Sequence, residues 1–65
     1  MAAEGEAQLR PLVHALRTPL TIVEGFSDLL VRTGADLPAA EREEHVRRIA
    51  AAAREMRALL DDAVR

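Results

Sequence analysis

Apolar residues recur at intervals of three and four along most of this chain. In the first half they fall at Leu12, Leu16, Leu20, Val23 and Leu30, with the small Ser27 in the same seam. In the second half they fall at Val46, Ile49, Ala53, Met56, Leu60 and Ala63. That spacing predicts two amphipathic helices, each with an apolar seam. Between them Gly34-Ala35-Asp36-Leu37-Pro38 reads as a turn. Gly34 is the expected left-handed stop of the first helix and Asp36 the expected cap of the second. Glu41, Glu43 and Glu44 complement the positive end of the second helix dipole.

Proline bounds and interrupts the first helix. Pro11 fits a first helical turn, so the firm helix is expected to begin near Arg10 or Pro11, with a kinked helix reaching back to Ala7 as the alternative. Residues 1–8 then form a lead-in or linker, and residues 9–65 the hairpin. Pro19 lies inside the helix, removes the hydrogen bond to the carbonyl of Ala15 and crowds it. Two readings stand: a simple kink, or a hinge.

Each helix is about 35–40 Å long at 1.5 Å per residue, and the short turn makes them antiparallel. One hairpin encloses no core, so the expected architecture is all-α, two hairpins docked as a homodimeric four-helix bundle. The dimer core is expected from Leu16, Leu20, Val23, Leu30, Val46, Ile49, Ala53, Met56 and Leu60. A second stripe, Ile22, Gly25, Phe26 and Leu29, is rotated from the seam. It reads either as further bundle packing or as a docking strip for another protein.

Composition supports this picture and narrows the chemistry. The chain has 65 residues, 49% of them hydrophobic, one Phe and no Trp, Tyr or Cys. A chain this short needs oligomerisation or well-packed helices for stability. Without cysteine there is no disulfide or thiolate metal site, and two distant histidines make no zinc site; no metal is expected. A net charge of −2 with mixed signs gives no footprint for nucleic acid or an acidic membrane surface. No apolar run reaches the roughly 18 residues of a membrane span. The acidic opening Met1-Ala2-Ala3-Glu4-Gly5-Glu6 is unlike a secretory signal. The expected location is cytoplasmic, including the cytosolic part of a larger membrane-bound protein.

The chemistry concentrates in Val13-His14-Ala15-Leu16-Arg17-Thr18-Pro19-Leu20. His14 lies off the seam, so it is expected to be exposed. Arg17 and Thr18, three and four residues on, share its side of the helix. The arginine suits phosphate charge and the hydroxyl suits orienting a water, although a solvated arginine and a threonine bonded back to its own helix are also natural. His45 reads as a surface or seam-edge residue, and Asp61 and Asp62 as a solvated end.

The run from His14 to Leu20, followed by Thr21-Ile22-Val23-Glu24-Gly25-Phe26-Ser27-Asp28-Leu29-Leu30, resembles the histidine-box helix of two-component sensor histidine kinases. Ile49 and Met56-Arg57-Ala58-Leu59-Leu60-Asp61-Asp62 are similar to the second helix of the same dimerisation and histidine phosphotransfer domain. The resemblance implies that His14 is the phosphoacceptor. It would take phosphate from ATP and pass it to an aspartate on the receiver domain of a response regulator. Thr18 would position water for dephosphorylation, and Ile22, Gly25, Phe26 and Leu29 would contact the regulator. The chain contains no Gly-rich phosphate loop, so ATP and Mg belong to a separate catalytic domain, in cis or in trans, and no cofactor is expected here. The resemblance thus implies part of a histidine protein kinase whose ATP-binding domain is not in this sequence, and leaves open whether the chain is itself an enzyme.

Ala15 departs from the pattern. The family usually has Glu or Asp there to hold the imidazole and assist loss of its proton, help typically worth 10²–10⁴-fold. Glu24 and Asp28 lie too far along the helix to substitute. The rival reading is therefore a non-catalytic hairpin used for dimerisation or regulator docking.

Overall fold

A computed structural model describes residues 2–65, with side chains from residue 9 onward. Helix α1 spans Ala2–Thr33, a single 3-10 turn spans Gly34–Asp36, and helix α2 spans Ala39–Ala63. Among the described residues there is no strand. The two helices pack against each other as an antiparallel hairpin.

Three expectations are corrected. First, α1 does not begin near Arg10 or Pro11; it is helical from Ala2 and contains both Pro11 and Pro19. A proline removes one hydrogen bond at a cost of about 3 kcal/mol, whereas residues 2–8 are mostly Ala, Glu and Gln, which favour helix. Second, Gly34 has no positive φ. The helix tightens into the 3-10 turn instead, and the N–H of Leu37 donates to the Gly34 carbonyl at 3.3 Å. Third, Asp36 does not cap α2. The capping position is Pro38, with no side-chain bond. What ties the turn is Arg42, whose Nη1 donates to the same Gly34 carbonyl at 3.1 Å. A guanidinium from the start of α2 thus closes the carbonyl end of α1, where cations are favoured.

The register between the helices is marked by Phe26 and His45, whose ring centroids are 5.0 Å apart. Seven residues back on α1 and seven forward on α2, the same register opposes Pro19 to Ala52. Pro19 is fully buried and Ala52 is 4% exposed. Leu12, Leu16, Val23 and Leu30 on α1, and Ile49, Met56 and Leu59 on α2, are half-buried.

The single seam read on each helix divides. Leu16, Val23, Leu30, Ile49 and Met56 belong to the half-buried set, while Ala53 is exposed, as are Leu20 (45%), Val46 (52%) and Leu60 (45%). At about 100° per residue, Leu9, Val13, Leu20 and Val31 lie roughly 65–105° to one side of the arc that faces α2. Val46, Ala53 and Leu60 lie roughly 60–100° from the facing arc of α2, in the same sense. Because the helices run antiparallel, both stripes fall on one broad face of the hairpin. Ion pairs such as Asp28–Arg32 (3.0 Å) and Glu44–Arg48 (3.1 Å) are solvated.

Candidate functional site: a histidine on the outer edge of the first helix

His14 is exposed, on the side of α1 away from α2. Its direction is about 155° from the arc facing α2, because it stands two residues after Leu12 and two before Leu16 in a 3.6-residue helix. A shallow hollow beside it is lined by Leu9, Arg10, Val13, His14 and Arg17. The spacing 10, 14, 17 brings these two arginines and the histidine together. Arg17 was expected there; Arg10 was not singled out, although its i−4 spacing from His14 is a readable signal.

Thr18 is exposed one turn beyond His14, on the opposite flank from Arg17. Among the described residues its hydroxyl bonds to nothing. The back-bonded threonine is Thr21, whose Oγ1 donates to the Arg17 carbonyl at 2.8 Å. Thr18 therefore keeps its hydroxyl available near the imidazole. Pro19 is buried and α1 is continuous through it. Having no N–H, it leaves the Ala15 carbonyl without the usual helical donor, next to the histidine.

Residues 7–23 contain Arg10 and Arg17 and no carboxylate. Ala15 is exposed and supplies a methyl group only. Glu24 stands about 15 Å along the axis from His14, and Asp28 is taken by Arg32 at 3.0 Å. Among the described side chains of α1, no acidic group is in reach of the imidazole to accept its proton.

The second stripe borders two hollows. Thr21, Ile22, Gly25, Phe26 and Leu29 line one apolar hollow. Ile22 and Phe26 also border α2, lining another hollow with Arg48, Ala51, Ala52 and Glu55. The Arg48 guanidinium carbon is 6.0 Å from the Phe26 ring centre, within cation–π range. A Cβ built on Gly25 would meet nothing within 4 Å. The hairpin itself does not need glycine there, although glycine costs a helix about 1 kcal/mol relative to alanine.

His45 sits at the seam edge against Phe26, and its Nδ1 is buried without a partner. Sequence spacing did not reveal this pairing, because it depends on the register across the turn. No group of three or more His, Cys, Asp or Glu side chains is placed to hold a metal among the described residues. Among the described residues no helix is long and apolar enough to cross a membrane.

Comparison with known proteins adds one match. A family model described as the His Kinase A (phospho-acceptor) domain matches residues 6–64. No curated protein and no solved structure matches the chain.

Proposed function

Since the chain belongs to the His Kinase A phospho-acceptor family, we propose that it is the phosphoacceptor and dimerisation domain of a two-component sensor histidine kinase, with His14 as the acceptor. The observation that carries this is the exposed His14 on a continuous helix, flanked by Arg17 and by a Thr18 whose hydroxyl is not used within the helix. In the reaction, an imidazole nitrogen forms an N–P bond as the bond from phosphorus to the leaving oxygen breaks. The leaving group is the β-phosphate of ATP or, in reverse, an aspartyl oxygen of a receiver domain. The other ring nitrogen then loses its proton, to water, because Ala15 offers no acceptor. Positioning and charge, more than covalent assistance, carry phosphoryl transfer of this type.

The surface supports a homodimer. The face carrying Leu9, Val13, Leu20, Val46, Ala53 and Leu60 is broad and apolar, and a second hairpin laid on it completes a four-helix bundle. His14, Thr18, Gly25 and Leu29 lie away from that face, so bundle formation leaves them accessible. The apolar hollow over Gly25 suits close approach of a helix from the regulator's receiver domain. ATP and Mg are supplied with a separate catalytic domain, and Pro19 serves as the hinge by which α1 moves beside His14.

The test is reverse transfer. A receiver domain carrying labelled phosphate on its aspartate is mixed with the chain. Acid-labile label moves to the chain and fails to move to His14→Ala. Decay of the receiver at its spontaneous rate, with no label on the chain, would leave only the non-catalytic scaffold.

A further inference from the structure

The hollow beside His14 contains one charged residue that the acceptor reading does not use. We infer that Arg10, together with Arg17, clamps the phosphoryl group while it is attached to His14; the inference rests on His14 being the acceptor. Arg10 and Arg17 point within about 20° of one another around α1 and stand about 10.5 Å apart along it, with His14 between them. All three line one hollow, whose remaining walls are Leu9 and Val13.

The ligand chemistry follows from that arrangement. Two guanidinium groups above and below an imidazole fit the dianionic oxygens of an N-phosphoryl group, which accept planar, charge-assisted hydrogen bonds. Residues 7–23 hold no carboxylate; the nearest one before them on α1 is Glu6, one turn ahead of Arg10. Side chains on a helix lean towards its N-terminus, so the His14 ring leans over the Arg10 turn and Arg17 leans over His14. The apolar walls thin the water on one side and strengthen both contacts. At this site charge placement does part of what an acidic neighbour of the histidine does elsewhere: it favours the phosphorylated product instead of assisting proton loss.

Phosphoramidate tests this without any partner protein. The imidazole nitrogen forms a bond to phosphorus, the P–N bond of the donor breaks, ammonia leaves, and the ring proton goes to water. Label on the full chain is followed over time, and its hydrolysis after donor removal, at low and at 1 M salt. Arg10→Gln is expected to lower the low-salt rate and shorten the lifetime of the label by about three- to tenfold, as for a partly screened charge contact. Arg10→Lys restores most of the loss, and 1 M salt, where the screening length is about 3 Å, shrinks it. Arg47→Gln, altering an arginine paired with Glu43 on α2, leaves both readouts unchanged. Glutamine has nearly the helix propensity of arginine, so the helix content of the variants is unaffected. Wild-type rate and lifetime in Arg10→Gln overturn the clamp, as does a loss equal at both salts or unrescued by lysine. If the wild type takes no more label than His14→Ala, the acceptor reading itself has failed, and the clamp with it.

Discussion

If His14 is the phosphoacceptor, as proposed, its reaction is governed by what stands one residue away. Ala15 leaves the ring without a proton acceptor, so the side chain relies on water for that step. Ala15→Glu is expected to raise the rate of phosphorylation from a catalytic domain and Mg-ATP by about 10²-fold, the lower end of general-base help. Ala15 is exposed, so the thermal midpoint should move little. An unchanged rate in Ala15→Glu would show that proton removal is not limiting. Gly34 gives a second residue-level test. Its φ is not positive, and an added Cβ would meet Leu30 at 3.9 Å, an ordinary contact. Gly34→Ala should therefore stabilise the fold by up to about 1 kcal/mol in urea unfolding, by restricting the unfolded chain. A left-handed stop would predict the opposite sign.

At the level of elements, the turn is held by a side chain that the sequence pattern does not mark. Arg42 reaches back across eight residues to the Gly34 carbonyl, a part-buried contact. Arg42→Gln is expected to cost about 1 kcal/mol, the typical worth of such a bond. Equal stability of Arg42→Gln and wild type would move the burden to the turn backbone. The three-and-four spacing made the two helices, their order and the position of the turn legible. It did not reveal the start of α1, because a proline's local penalty was read as a boundary when favourable residues continue the helix on both sides. Nor did it reveal how the turn closes, since glycine and aspartate were given their commonest roles and an arginine eight residues away took over the capping. The exposure of His14 and the placement of Arg17 and Thr18 one turn on were legible from spacing, whereas the roles given to them come from the family resemblance. The Phe26–His45 contact was not legible, because it depends on register between helices.

As a whole molecule the hairpin is one layer. Its principal extents are 52 × 20 × 11 Å, so its thinnest dimension is about one helix diameter. Its radius of gyration is 15.4 Å, against about 11 Å for a compact chain of this length. It exposes 5280 Å², about 1,200 Å² more than a compact monomer of 7.1 kDa. Burying that excess on each of two copies falls in the range of obligate homodimers. Leu20→Glu, on the exposed apolar face, is expected to convert the dimer to monomer and to reduce helix content at micromolar concentration. Sedimentation and circular dichroism would show both together; a folded, compact monomer of Leu20→Glu, or an unaltered dimer, would argue against this face. The three-and-four spacing ran together residues that face α2 and residues on the exposed apolar face, which is why one pattern could not divide them.

The central claim is that His14 carries phosphate, and the most direct measurement is acid-labile label on the intact chain after incubation with a histidine-kinase catalytic domain and Mg-ATP. The account predicts slow labelling of the wild type, loss of the label in acid and none on His14→Ala. Label that survives in His14→Ala, or no label on a folded dimer from a donor active on other acceptors, would contradict it.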